Sequence, residues 1–202
     1  MAEARTTSDL AALERMALLQ GGYFDRADAL AHNLQDSVIH YHTRTGRFER
    51  VSPGVYRLAV APISPYDDLL HAVVWSNYRG AISHESALAL FELGDVEPHR
   101  VQLTVPLNFG RTSSPCQLHR AALRADEVTI YQGIPVTTPV RTIVDAASAG
   151  TDPEQIRKAT GQALSRALAT DQQILATARR PHYRNRRAVL SLVELAIRDA
   201  SA

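Results

Sequence analysis

The sequence predicts an α+β chain: an N-terminal winged helix-turn-helix, then a larger mixed α/β domain with a helical C-terminus. Three observations carry this expectation. Residues 8–58 hold three short helical patterns followed by two strand-like runs around Ser52-Pro53-Gly54. Ala61-Pro62-Ile63-Ser64-Pro65 then interrupts both helix and strand, because proline removes a backbone donor and fixes its own φ. Beyond it the apolar period turns strand-like over about 101–136 and helical again to the end.

The first helix is expected over 8–20, with Ser8 and Asp9 as caps and Leu10, Leu13, Ala17 and Leu18 inward. Gly21-Gly22 stops it. Asp25 caps a second helix, 26–32, whose buried stripe is expected to be Ala27, Leu30 and Ala31. Leu34 turns inward, and Asp36 or Ser37 caps a third helix, 36–45, ended by Gly46. Phe48, Val51, Val55, Tyr56 and Leu58 then read as a hairpin with one face buried. These elements form a domain of residues 1–62.

A second domain, 66–202, is mixed α+β to about residue 147 and helical over 152–202. It opens with helix 66–75, a short extended piece at 79–82, and helix 84–93 capped by Ser83 and ended by Gly94. Val101–Val105 alternates as a strand, followed by strands 117–120, 128–131 and 134–136. Thr137-Thr138-Pro139 leads into helix 140–147, where Arg141 and Asp145 stand four apart and are expected to pair on its surface. Asp152-Pro153 starts the next helix at N-cap and N1. Ile156, Ala159, Ala163, Ala167 and Leu168 form its stripe. Val189, Leu190, Val193, Leu195 and Ile197 mark the last helix.

Composition bounds the chemistry. With 202 residues, 45% hydrophobic and 21% charged, the chain can build a substantial core, and its formal charge of +1 confines any polyanion site to a local patch. A single cysteine, Cys116, excludes an intramolecular disulfide and a cysteine-rich zinc site. The N-terminal residues lack the apolar core of a signal peptide, and no apolar run approaches a membrane span. The expectation is a soluble, cytoplasmic protein without membrane contact.

Four ordered motifs carry a resemblance: Gly54-Val-Tyr-Arg, Ala81-Ile-Ser-His-Glu-Ser-Ala-Leu-Ala-Leu, Val101-Gln-Leu-Thr-Val-Pro, and Gly133-Ile-Pro-Val-Thr-Thr-Pro-Val-Arg-Thr-Ile-Val-Asp145. Over about residues 8–147 the chain resembles the AbiEi-like antitoxins, transcriptional-regulator partners in type IV toxin–antitoxin systems. The resemblance implies a winged helix that binds repeats in its own promoter, with paired copies on repeated half-sites. It also implies a second domain that neutralises a nucleotidyltransferase-like toxin, directly or indirectly. Some relatives with these motifs continue into a nuclease-like domain, whereas this sequence continues into helices. Residues 151–202 match no motif of the family.

For double-stranded operator DNA, helix 36–45 is the expected major-groove reader. Ile39 and Thr43 face the core, leaving Ser37, His40, Tyr41 and Arg44 toward the groove. Arg44 suits bidentate bonding to guanine O6 and N7. Arg47, Arg50 and Arg57 are expected on phosphate. Arg179, Arg180, Arg184, Arg186 and Arg187 form a candidate second basic patch, for DNA phosphate or for an acidic face of a toxin.

Other signals are weaker. His40 and His42 project roughly 200° apart on a helix, so a shared metal is not expected. Ser83-His84-Glu85 resembles a hydrolase triad only in sequence, since triads assemble in space; capping by Ser83 is the expected role. No phosphate loop, zinc spacing or cofactor motif is present, and the chain reads as a non-enzyme. The competing readings are a stand-alone regulator whose second domain binds a ligand or dimerises, and a nucleic-acid enzyme.

Overall fold

A computed structural model describes residues 2–111, 115–180, 183 and 185–200, with side chains from residue 7 onward. The chain divides into two compact units, Met1–Arg79 and Gly80–Ala202, and is mixed α+β with two sheets.

The first unit begins with α1 (Ala2–Leu19), which starts earlier than the caps at Ser8 and Asp9 suggest. Ala2, Glu3, Ala4 and Arg5 are strong helix formers, so the helix runs through those cap-type residues. Leu10, Leu13 and Ala17 are buried as expected, whereas Leu18 is half exposed. Gly21 and Gly22 both take positive φ, and a Cβ at Gly22 would lie 2.3 Å from the Ala61 side chain.

Strand β1 (Tyr23–Asp25) follows, then α2 (Arg26–Ala31), α3 (Asp36–Arg44), β2 (Phe48–Ser52) and β3 (Val55–Leu58). The antiparallel sheet has the order β1-β3-β2. Three residues are too short for β1 to show a period of two, and only its pairing with β3 defines it. A capping box between Asp25 and Asp28 fixes the start of α2. The helix consequently buries Ala29 and leaves Ala27, Leu30 and Ala31 exposed, correcting the expected stripe. The α3 N-cap is Gln35; Asp36 instead enters the first turn and forms a two-bond fork with Arg26. Gly54 takes φ +80 in the hairpin turn, and Val51 lies where the β2–β3 register shifts.

The unit boundary differs from the expected one at 62–66. Helix α4 (Asp67–Trp75) belongs to the first unit and packs on β1 and β3. Tyr23 and His71 stack with centroids 6.1 Å apart, and Ser52 Oγ lies 2.8 Å from His71 Nε2. Arg57 Nη2 donates to the carbonyls of Ala61 and Pro62 at 2.8 Å each. The prolines therefore mark a tight turn within the unit, with the chain folded back onto its own sheet.

The second unit contains a five-stranded mixed sheet, β6-β5-β4-β8-β7, built from β4 (Ala81–Ile82), β5 (Gln102–Val105), β6 (Gln117–Arg120), β7 (Val128–Tyr131) and β8 (Ile134–Thr137). Its helices are α5 (His84–Leu90), α6 (Pro139–Ala149), α7 (Pro153–Ser165), α8 (Asp171–Ala178) and α9 (Arg186–Ala200). Asp152 caps α7 with Pro153 at N1, and Thr170 forms a capping box for α8. Ala167 and Leu168 fall outside the buried stripe: Ala167 takes φ +52 just beyond α7, and both residues are exposed. In α9, Leu195 is exposed while Val189, Val193 and Ile197 are buried. Although β5 alternates in sequence, all four of its residues are buried.

Helix α6 packs against α5, α7, α8 and α9, and every residue from Arg141 to Ala147 is buried. The pair Arg141–Asp145 is therefore internal, contrary to the expected surface position. Arg141 Nε donates to Asp145 Oδ2 at 2.7 Å, and its Nη1 lies 3.1 Å from Glu127 Oε1. Arg180 also pairs with Glu127, and the Tyr183 hydroxyl donates to Asp145 Oδ1 at 2.8 Å. Burial favours the neutral form of Glu127, but the Arg124 amide and the two guanidiniums hold its carboxyl below the usual range.

A second polar group sits where α5 meets the sheet. His84 stacks on His119 with centroids 3.5 Å apart. Thr104 Oγ1 donates to Ser83 Oγ at 2.8 Å, and Ser83 Oγ lies 2.9 Å from His84 Nδ1. The chain Thr104 to Ser83 to His84 is satisfied by an imidazole that accepts at Nδ1, as only the neutral ring can. Burial, then the neighbouring His119 and Arg141, push His84 down to about 3. Among the described residues no helix is long and apolar enough to cross a membrane.

Three consequences are measurable. Arg141→Ala removes the buried guanidinium shared by Glu127 and Asp145, leaving them only Arg180 and the Tyr183 hydroxyl, and should lower the unfolding free energy by about 3–5 kcal/mol in urea denaturation. Gly46→Ala, with open space around it, should cost about 1–2 kcal/mol for its positive φ; Gly22→Ala adds a clash and should cost more. For His84 the folded value lies below the ordinary 6.5, so the unfolded chain takes up the proton first. Its contribution is complete above about pH 6.5 and is lost as pH falls toward 3. His84→Asn should make stability against pH shallower across that window, read from denaturant midpoints between pH 7 and 4.

Candidate nucleic-acid interface

Helix α3 has two faces because its sequence has two. At ~100° per residue, Ser37, His40, Tyr41 and Arg44 fall within one narrow sector, and Ile39 points the opposite way. Ile39 is buried among Leu13, Phe24, Leu34 and Phe48, with Val38 packed beside them. Thr43 turns its hydroxyl onto the Ile39 carbonyl at 2.8 Å. The four expected reading residues are all exposed and line one open depression of about 600 Å³, with Thr43 at its wall. Arg44 in the last turn and Asp36 in the first both complement the helix dipole.

The flanking arginines divide three ways. Arg50, on β2, is exposed and has no carboxylate partner among the described residues. Arg47 is held by Glu14 of α1, Nε to Oε1 at 2.6 Å and Nη2 to Oε2 at 2.9 Å. Arg57 is buried: its guanidinium sits 5.8 Å from the Tyr23 ring centroid, bonds the carbonyls of residues 61 and 62, and lies 3.8 Å from Asp67. It braces β3 against the following turn, so the expected phosphate role of Arg57 does not fit its position. Of the four arginines between 34 and 58, two remain exposed without a carboxylate partner among the described residues. Glu14, which decides the fate of Arg47, is distant in sequence and escapes local reading; the carbonyls that hold Arg57 are close in sequence but reach it only because the chain turns back after β3.

The candidate second basic patch is smaller than expected. Arg180 is committed to Glu127, whereas Arg179, Arg186 and Arg187 are exposed; Arg184 lies outside the described residues. Near Arg180 is a cleft of about 430 Å³, lined in part by Arg124, Asp126, Glu127, Arg141 and Gln173. Each of its guanidiniums already meets a carboxylate: Arg124 pairs with Asp126, and Arg141 and Arg180 pair with Glu127.

Ser83 and His84 do meet, and the side-chain cap expected of Ser83 is not formed. Both are buried, Ser83 completely, so the contact is part of the packed interior. His119 Nε2 is buried there without a hydrogen-bond partner. No group of three or more His, Cys, Asp or Glu among the described residues is placed to hold a metal ion.

Comparison with known proteins adds two findings. Across 94% of its length the chain superposes on 75% of the RV2827C protein from Mycobacterium tuberculosis, with a TM-score of 0.62 and 14% identity, a likeness of fold. No curated protein matches in sequence. A family model described as a transcriptional regulator, AbiEi antitoxin, matches residues 8–59. That segment runs from within α1 to the residue after β3 and contains the whole exposed stripe of α3; the three later motifs lie beyond it. Residues 8–59 of this chain therefore carry the sequence pattern of the AbiEi antitoxin family of transcriptional regulators.

Proposed function

We propose that the first unit is a winged helix-turn-helix in which α3 enters the major groove of operator DNA and the β2–β3 hairpin follows the backbone. The chain would then be a cytoplasmic antitoxin that represses its own operon and neutralises a nucleotidyltransferase-like toxin. The observation that carries the DNA reading is the stripe Ser37, His40, Tyr41 and Arg44, exposed on one side of a helix whose other side is locked into the core. It presents hydroxyl, imidazole, phenol and guanidinium groups that can bond base edges and phosphates. Arg50 adds a cation on the hairpin. The family match over the same residues supports regulation as their use.

In this reading Arg44 supplies sequence discrimination and Arg50 supplies affinity without it, since phosphate contacts position and base contacts specify. Repeats in the promoter would be read by paired copies, one α3 to each half-site. The second unit, Gly80–Ala202, would act on the toxin by binding rather than by catalysis.

Gel retardation on the duplex upstream of the chain's own reading frame tests the first half. Arg44→Ala should lose about 1–3 kcal/mol on that duplex and little on a mixed-sequence duplex, whereas Arg50→Ala should weaken both. Undiminished retardation by the double variant would remove α3 and the hairpin from the interface. For the second half, the full chain is expressed beside the toxin-like protein of a neighbouring reading frame. Growth should be restored by the wild type and by Arg44→Ala alike, and continued arrest with both would overturn the antitoxin reading.

A further inference from the structure

We infer that Glu14 is a built-in competitor for DNA phosphate, holding the Arg47 guanidinium in a neutral fork and setting how strongly the first unit binds any duplex. The inference rests on the DNA-reading proposal above. Arg47 borders the reading face directly: with Ser37 and Tyr41 of the stripe it lines a second depression, of about 520 Å³, between α1 and α3. A cation there is placed for a phosphate beside the groove. Yet its Nε and Nη2, one edge of the guanidinium, are both taken by the Glu14 carboxylate.

The Arg47 side chain is 48% exposed, and ion pairs in such positions contribute roughly 0–1 kcal/mol. Glu14 is the better anchored partner, its side chain only 23% exposed on a helix whose Leu13 and Ala17 are fully buried. The carboxylate is therefore fixed by the fold, and the longer arginine comes to it. The other flank of α3 repeats the arrangement, with Arg26 forked onto Asp36.

The physical consequence is a charge count. A phosphate approaching Arg47 meets a guanidinium already neutralised, with a carboxylate behind it. Binding must share or break the fork, and the pair as a whole displaces no counterion from DNA. Each cation that does neutralise a phosphate steepens the dependence of log K on log salt by about 0.9. Removing the Glu14 charge should thus convert Arg47 from a silent neighbour into one more phosphate contact.

The test measures binding of the full-length wild type, Glu14→Gln, Arg47→Ala and the double variant to a mixed-sequence duplex across a tenfold range of salt. A probe of mixed sequence isolates the phosphate contribution and requires no knowledge of the operator. Glu14→Gln should bind more tightly than wild type at low salt, with a slope steeper by about 0.9, so that its advantage shrinks about eightfold over the range. In the Arg47→Ala background the same substitution should leave the slope unchanged. Equal slopes for wild type and Glu14→Gln would overturn the inference while leaving the DNA reading intact. Weaker binding by Glu14→Gln, with its thermal unfolding unchanged, would also overturn it, since the carboxylate would then be orienting the guanidinium for DNA. Retention of neither this duplex nor the promoter duplex by the wild type would defeat the DNA reading itself, and this inference with it.

Discussion

Ile39 sets the phase of α3, and the arrangement of the candidate interface depends on that single anchor. Once this side chain is seated against Leu13, Phe24, Leu34 and Phe48, the helical repeat leaves no choice about what faces outward. Ser37, His40, Tyr41 and Arg44 share the opposite sector because they are three, four and seven residues apart. Phe24 and Phe48, which meet edge to face at 4.9 Å, join the sheet to the same core. The orientation of the helix and that of the hairpin are thus fixed by one apolar cluster, giving both elements a common rigid support.

Charge at this surface is decided by partners as much as by residue type. Four arginines between residues 34 and 58 suggest a strongly basic face, yet they meet three different fates. Arg44 and Arg50 stay exposed, Arg47 is neutralised by a carboxylate from α1, and Arg57 is a buried brace with carbonyl, aromatic and carboxylate neighbours. A site with two such arginines binds polyanions more weakly and depends less on salt than one with four. In a chain of nearly balanced charge, the basicity of this surface is therefore set locally, by which arginines keep a carboxylate partner.

Legibility followed the reach of the forces involved. The phase of α3, the hairpin and its Gly54 turn, and the Asp152-Pro153 start of α7 were all visible because neighbours within a few residues determine them. Strand β1 was not, since three residues carry no period and the strand exists through pairing with β3. The stripe of α2 departs from its sequence pattern because Asp25 and Asp28 fix where the helix begins, and the core then selects Ala29. Arg141 and Asp145 are legible as a pair at helical spacing. Their burial comes from α5, α7, α8 and α9 closing around α6, which no local pattern records.

The shift of the unit boundary from the prolines to Arg79–Gly80 follows from where the polar groups of the intervening residues are satisfied. The carbonyls of residues 61 and 62 accept from the buried Arg57, the Ser64 amide donates to Asp67, and Ser52 meets His71. Each contact joins the segment after β3 to α4 or back to the three-stranded sheet. The apolar contribution has the same direction, with Tyr23 stacked on His71 and Leu70 lying over Gly21. Division at the prolines would expose the Tyr23–His71 face and take Asp67 away from the buried Arg57. Helix α4 is therefore part of what supports β1 and β3, and the exposed stripe of α3 depends on that support although no residue of α4 lies in the stripe.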